Sequence, residues 1–524
     1  MQSEHRSCGT LHATWRMHNE QGDVYMQTAV LGIDVGTSAL KAVVYDRSGV
    51  ELFVTAQTYR LATPQPGWAE LDMDEVWRAL LRVLRDVVAA TAGQVRIVAL
   101  ALAAQAGSVV PVDAGGAPLA PMITWLDRRA EPIVAAWQAD GTAARIRAVT
   151  GWHPYPGLPI ATIAWLVRHA PQVARRTQRY LGAHEFLVQR LTGRCVTDLS
   201  EGAEMLLLDQ ATGAWSPELC ALAGIRVNQL AELAQAGAVV GPLLPAVAAA
   251  TGLPVDVQVV VGGHDQCCAA LGMGVTAPGE LMLATGTAWV LTALTPATPV
   301  AQVPAGMELN YHVTPDVYTV SQLLGGFGAT VEWWLELLLQ PLDPSPARYA
   351  LFDEWLAASQ PGAHGLHFLP LGGSAQTGNI SPGGFVGLRL DHTRVDMARA
   401  ICEGVACEVR WALDNLAAAG LPARQMWMSG GATHSPLWPS ILADVAGIPL
   451  HVARGSNWPA RGAAILAGAG CGVLGNLPTA TAQWRPGLER LAPDLASGAF
   501  YAACCAGHRQ LVAQLASTAL TLNN

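Results

Sequence analysis

Lysine is nearly missing from this chain. Of its 31 strong cations, 30 are arginine, and Lys41 is the single lysine. Charge of any kind is sparse: 14% of residues are Asp, Glu, Lys or Arg, the net charge is −9, and no basic block occurs. A nucleic-acid groove needs clustered Lys and Arg against the phosphate backbone, so nucleic acid is excluded as a partner. The ten cysteines are scattered, with two adjacent pairs (Cys267-Cys268 and Cys504-Cys505) and no C-x-x-C. That is neither a disulfide framework nor a zinc spacing, and it fits a reducing cytoplasm. No apolar run reaches the roughly 18–20 residues of a membrane helix. Residues 95–112 come closest and are broken by Arg96, Gln105 and Pro111. Residues 1–27 are polar, lack the apolar core of a secretory signal, and read as a loose extension before the fold. The P-loop pattern G-x-x-x-x-G-K-[ST] is missing, and no G-x-G-x-x-G follows the first apolar strand, which argues against P-loop and dinucleotide folds.

What is present is apolar: 51% of 524 residues are hydrophobic, enough for two large buried cores. Strand and helix patterns alternate, which indicates α/β layers. The lone lysine sits in the most informative segment, LGIDVGTSALKAVVY (31–45): apolar strand, Gly-Thr-Ser turn, apolar strand. Such a turn suits phosphate. Gly36 lets the backbone approach, the Thr37 and Ser38 hydroxyls and nearby N–H groups donate, and Lys41 supplies charge. Asp34, just before the turn, would hold a magnesium ion, usually through water. An ordinary hairpin turn is the alternative reading.

Further on, GELMLATGTAWVLTAL (279–294) repeats the plan. Aligned on the turns, Gly36-Thr37 matches Gly286-Thr287, and Asp34 falls opposite Ala284. Two related halves facing across a cleft would grip a polyphosphate from both sides, with one metal-side aspartate. The boundary is expected near 275–278, giving domains 28–276 and 277–506 and a tail 507–524. Residues 74–91 read as an amphipathic helix, 96–104 and 257–265 as buried strands, and 393–418 as a long helix. Residues 427–447 read as strand, Gly-Gly turn, helix.

Seven segments together resemble the FGGY family of carbohydrate kinases: GIDVGTSALKAVVYD, PGWAELDMDEVW, ITWLDRRA, VGGHDQCCAALGMGV, ATGTAWV, GGFVGLRLDHTRVDMARAICEGV and SGGATHSPLWPSILADV, in the family's order. The resemblance runs from about residue 29 to 475. It implies two ribonuclease H-like (actin-like ATPase) domains, each a mixed sheet with flanking helices, around a central cleft. It also implies ATP-dependent phosphoryl transfer to a hydroxyl of a small sugar, most naturally a pentulose such as xylulose or ribulose. Other acceptors (gluconate, glycerol, fuculose or erythritol type) and a catalytically silent sugar or nucleotide sensor are the alternatives. A chaperone-like or filament-forming ATPase of the same superfold is disfavoured by an aspartate where a sugar base belongs.

The resemblance makes Asp265 the catalytic base, against the plainer reading of a helix N-cap. It assigns ATP to Gly36, Thr37, Ser38 and Lys41, to Thr285, Gly286 and Thr287, and to Gly430, Gly431 and Ala432. Mg²⁺ goes to Asp34. Gln105, Trp125, Asp127 and His264 join Asp265 as sugar contacts, although Asp127 and Arg129 would otherwise pair with each other. Cys267 and Cys268 read as core. Two departures bear on the sugar. Gln105-Ala106-Gly107-Ser108 stands where xylulokinases carry Gln-Met-His-Gly, and Gly372–Gln376 replaces a Gly-Glu-Arg-x-Pro stretch. Related enzymes are often dimers, so a homodimer is implied as well.

Overall fold

The computed structural model describes residues 26–339, 346–371, 374–376 and 383–522. Nearly all of the expected extension, and Gly372-Gly373, lie outside them.

The first half is built on a six-stranded sheet. Its strands are β1 (Gln27–Val35), β2 (Ala39–Asp46), β3 (Glu51–Thr58), β4 (Val95–Ala104), β5 (Val239–Pro242) and β6 (Gln258–His264), in the order β5-β6-β4-β1-β2-β3. β1 runs antiparallel to β2 and parallel to β4. A strand paired on both edges and covered on both faces offers polar side chains no outlet, which is why β1 and β4 read as near-continuous apolar runs. Helix α1 (Met73–Thr91) covers one face with Val76, Leu80, Leu84 and Val87. Asp72 starts it by accepting from the Asp74 N–H at 2.9 Å. Two further helices matter for the site: the short α2 (Leu199–Glu204) and α3 (Asp265–Met273), which follows β6 directly.

The second half repeats the plan. Its sheet comprises β7 (Glu280–Thr285), β8 (Trp289–Thr295), β9 (Glu308–Tyr311), β10 (Tyr318–Gly325), β11 (Gln425–Gly430), β12 (Leu450–Ala453) and β13 (Glu489–Leu491), in the order β9-β10-β8-β7-β11-β12-β13. β7 pairs antiparallel with β8 and parallel with β11, as β1 does with β2 and β4. The two hairpin turns, 36–38 and 286–288, therefore occupy equivalent places. Its helices include α4 (Phe327–Leu339), α5 (Pro346–Ala358), α6 (Arg394–Ala418), α7 (Trp458–Gly470) and α8 (Gly498–Leu522).

Helix α3 lies between the sheets. Its Cys267, Cys268 and Leu271 join the core of the first sheet, as expected for the two cysteines. Ala270 and Met273 pack with Met282, Leu294 and Trp427 of the second. Helix α7, although it follows the second sheet in sequence, packs on the first. It approaches so closely that a Cβ on Gly32 would stand 1.7 Å from the Ala460 carbonyl oxygen. Gly32→Ala must push two backbones apart, and a loss of about 3 kcal/mol is expected in denaturant unfolding.

Residues 507–522, expected as a tail, continue α8. A disulfide, Cys407–Cys505, joins α6 to α8, with Cα atoms 5.1 Å apart. The sequence reading saw no such pairing, because the partners are 98 residues apart and meet only when the two helices pack. Among the described residues no helix is long and apolar enough to cross a membrane.

Candidate active site

The hairpin register sets Asp34 directly opposite Lys41. Asp34 is half-buried, and its pKa rises from 3.8 to about 7. Burial is the main cause; the nearby Asp265 carboxylate adds repulsion, and Lys41 offsets part of it. The first hairpin and Asp265 therefore share one electrostatic site. Lys41 Nζ also reaches the second half, donating at 3.3 Å to the Ser456 carbonyl and at 3.3 Å to Ser456 Oγ.

The turn is held from outside. Tyr59 donates its hydroxyl to the Gly36 carbonyl, and its N–H donates to the Ser38 carbonyl at 3.0 Å. Thr37 Oγ1 donates to Gln105 Oε1 at 2.8 Å and accepts from Trp125 Nε1 at 3.2 Å. Gln105 is thus engaged with the phosphate-type turn. Trp125, bonded to the same turn, is 41% exposed.

Asp265 is the first residue of α3, and the position before it is His264. No side chain caps this helix, so the alternative role for Asp265 is not the one the fold uses. Its carboxylate instead pairs with His264 Nε2 at 3.1 Å. His264 Nδ1 faces Glu204 Oε1 at 3.0 Å. Burial alone would push the His264 pKa down, but Glu204, Asp265 and Cys267 together hold it well above the ordinary value. An imidazolium between two carboxylates results. Sequence reasoning missed Glu204, whose partners lie 60 and 106 residues away along the chain.

Asp127 takes a different role from the one expected. It is 1% exposed, and its oxygens accept from the Ala69 N–H at 2.7 Å and from Arg129 Nε and Nη2 at 2.9 Å each. Arg129 also binds Glu70 at 2.6 Å and lies 3.6 Å over the Trp68 ring. No lone pair faces a ligand, so this cluster braces the 67–70 and 123–130 loops instead of contacting sugar.

The second hairpin opens on a cavity of about 1100 Å³. Thr285, Gly286, Thr287, Gly431 and Ala432 line it, as do Trp333 of α4 and Tyr349 of α5. The helical wall was not foreseen, since an aromatic on a helix reads as core. Thr285 Oγ1 donates to the Ser429 carbonyl at 2.7 Å and accepts from the Ala432 N–H at 3.3 Å, tying the two Gly-rich turns together. Gly430 has φ +98°, and a Cβ there would lie 2.7 Å from the Thr285 carbonyl carbon. Gly430→Ala should therefore cost about 1–3 kcal/mol in stability, read by thermal melts.

Asp34 suits a divalent cation. Its half-buried carboxylate faces a second one with only one ammonium to offset them, and a cation would relieve both. Among the described residues no group of three or more His, Cys, Asp or Glu could hold a metal by protein ligands alone. Phosphate oxygens and water would have to complete the shell.

Comparison with known proteins fits this geometry. The pattern described as "FGGY family of carbohydrate kinases, N-terminal domain" matches residues 29–272, and its C-terminal counterpart matches 281–471. The chain is 29% identical over 494 residues to the L-xylulose/3-keto-L-gulonate kinase of Escherichia coli K12, covering 93% of this chain and 97% of that one. It is 31% identical over 491 residues to a glycerol kinase of Methylibium petroleiphilum, covering 87% and 94%. The crystal structure of a xylulose kinase from Rhodospirillum rubrum superposes with a TM-score of 0.87 at 28% identity, over 93% of this chain and 99% of that one. With both family domains matched in order across most of its length, this chain belongs to the FGGY family of carbohydrate kinases.

Proposed function

We propose that this sugar kinase phosphorylates a ketopentose of the xylulose or ribulose type, with Mg²⁺-ATP as donor and Asp265 as base. The observation that carries the reading is the coupling of Asp265, at the start of the helix between the sheets, to Asp34 of the first phosphate-type hairpin. An alcohol proton is too weakly acidic to leave first near neutral pH, so a positioned carboxylate must accept it as the new O–P bond forms. The bond from the γ-phosphorus to the bridging oxygen breaks, and ADP departs with the electron pair.

The chain's own groups do the positioning. The 36–38 turn and Lys41 receive phosphate from one side, and Thr285, Gly286 and Thr287 from the other. Gly430, Gly431 and Ala432 let the nucleoside lie against backbone. Asp34 would hold Mg²⁺, which when bound neutralises charge on the transferring phosphoryl group. His264, paired to Asp265, fixes the orientation of the base. Gln105 and Trp125 supply acceptor contacts on the far side of Thr37.

Acceptor-dependent ADP release, measured with Mg²⁺-ATP across ketopentoses, polyols and aldonates, tests the reading. A ketopentose should stimulate turnover, and hydrolysis without acceptor should stay slow, because closure over the substrates excludes water. Equal ADP release with and without every acceptor would refute it.

A further inference from the structure

We propose that Glu204 selects uncharged acceptors: its second oxygen faces the acceptor space beside Asp265, accepts a sugar hydroxyl there, and turns away sugar acids. The inference rests on Asp265 being the base, because that places the acceptor.

Glu204 ends helix α2, which is fixed at both ends. Asp198 caps its start, accepting from the Ser200 N–H at 2.9 Å and the Glu201 N–H at 3.0 Å. Ser200 Oγ accepts from the His264 N–H at 3.0 Å, which docks α2 beneath the turn that carries Asp265. Asn310 Nδ2 of β9 donates to the Ser200 carbonyl at 3.1 Å and to Glu204 Oε1 at 3.3 Å. His264 Nδ1 meets the same oxygen at 3.0 Å. Oε1 is therefore fully used.

Oε2 has no hydrogen-bond partner among the described residues, although Glu204 is only 8% exposed. It points toward Gly107: a Cβ built there would sit 3.7 Å from Oε2, and 3.4 Å from Trp125 Cβ. Gly107 belongs to the loop that carries Gln105 and Ser108, and Ser108 Oγ accepts from the Trp125 N–H at 3.2 Å. Gly107 puts no side chain between Oε2 and this loop, and Leu158 Cδ2, 3.2 Å from such a Cβ, is the other neighbour there; the acceptor beside Asp265 is placed on this side of the carboxylate. A half-used carboxylate this little exposed is a strong acceptor for a neutral hydroxyl.

The same group rejects anions. Glu204, Asp265 and Asp34 share the neighbourhood, and His264 is spent between the first two. Arg129, in the adjoining loop, is closed off by Asp127 and Glu70. Beside Glu204 and Asp265 the cation is His264, already shared between them, and Lys41 is set against Asp34, so an acceptor carboxylate would meet net like charge, and such juxtapositions are costly where solvent is excluded. The relatives' printed names span both classes, from glycerol to 3-keto-L-gulonate; Glu204 places this chain with the neutral acceptors.

Calorimetry on the full chain with neutral sugars and their aldonates, such as D-xylulose against D-xylonate, tests this without needing turnover. The wild type should bind the neutral member at least about tenfold more tightly. Glu204→Gln keeps the shape and removes the charge. It should lower the neutral-to-aldonate ratio by about ten- to a hundredfold, with ATP affinity showing that the nucleotide cavity is intact. Glu204→Asp, which keeps the charge, should retain the preference. Asp265→Asn should lose transfer yet still favour the neutral member, by a smaller ratio than wild type because one of the repelling charges is gone, so the two readings fail separately. An aldonate that binds the wild type as tightly as its neutral partner, or a glutamine variant with an unchanged ratio, overturns the proposal.

Discussion

Asp265→Asn lowers the rate of phosphoryl transfer by about 10²–10⁴-fold while leaving ATP binding in place. The substitution is nearly isosteric, so α3 keeps its position between the sheets, with Cys267, Cys268 and Leu271 still packed on the first core. The variant loses the capacity to take a proton from the acceptor. It also loses the negative charge that faces Asp34, and Asp34 should then titrate lower than in the wild type, because one of the two causes raising its pKa is gone. Single-turnover rates, with ATP and acceptor affinities measured by calorimetry, separate the effects: the loss belongs in the chemical step, with both affinities within a few-fold of wild type. A variant that transfers phosphate at the wild-type rate would remove Asp265 from the chemistry and, with it, the assignment of the acceptor space.

Much of this arrangement was legible in the sequence, for a physical reason. A central strand must be apolar on both faces, and a phosphate-type turn needs glycine and small hydroxyls, so both leave contiguous signatures. Residues 31–45 and 279–294 therefore declared two equivalent hairpins before any coordinates, and the sheets place them equivalently. The long helix expected at 393–418 spans Arg394–Ala418, because its Thr393 start is capped locally by Asp396. What stayed hidden depends on contacts between distant segments. Glu204 looks like one more acid on a short helix until β6 delivers His264 to it. Asp127 carries a sugar-contact motif, yet its oxygens are consumed by Arg129 and a backbone amide of the 67–70 loop. The aromatic wall that α4 and α5 give the cavity at the second hairpin has the same apolar spacing as a packed helix, so periodicity could not separate lining from core.

Asp34→Asn produces the second large effect, and in two opposite directions. On the proposed metal role activity should fall at least about 10²-fold, because magnesium would lose its protein-side oxygen and the transferring phosphoryl group part of its charge neutralisation. Stability should rise. The native Asp34 pKa is about 7 against 3.8 for the free group, so between those values the folded chain holds a proton that the unfolded chain has released. Stability from this group is thus fully present below pH 3.8 and declines as pH climbs toward 7, reaching a penalty of order 4 kcal/mol above it. Asparagine carries no such charge. In the absence of nucleotide and metal, the variant should melt higher than wild type at pH 8, and the gap should close as pH falls toward 4. Adding Mg²⁺-ATP should stabilise the wild type more at pH 8 than at pH 5.5, since a cation binds the ionised form, and the asparagine variant should lack that difference. Melting curves at the two pH values with and without Mg²⁺-ATP give the four comparisons. A wild type whose stability is flat from pH 4 to 8, or an asparagine variant that melts lower at pH 8, would mean that the Asp34 carboxylate is already neutralised by the fold and is not held in reserve for a metal.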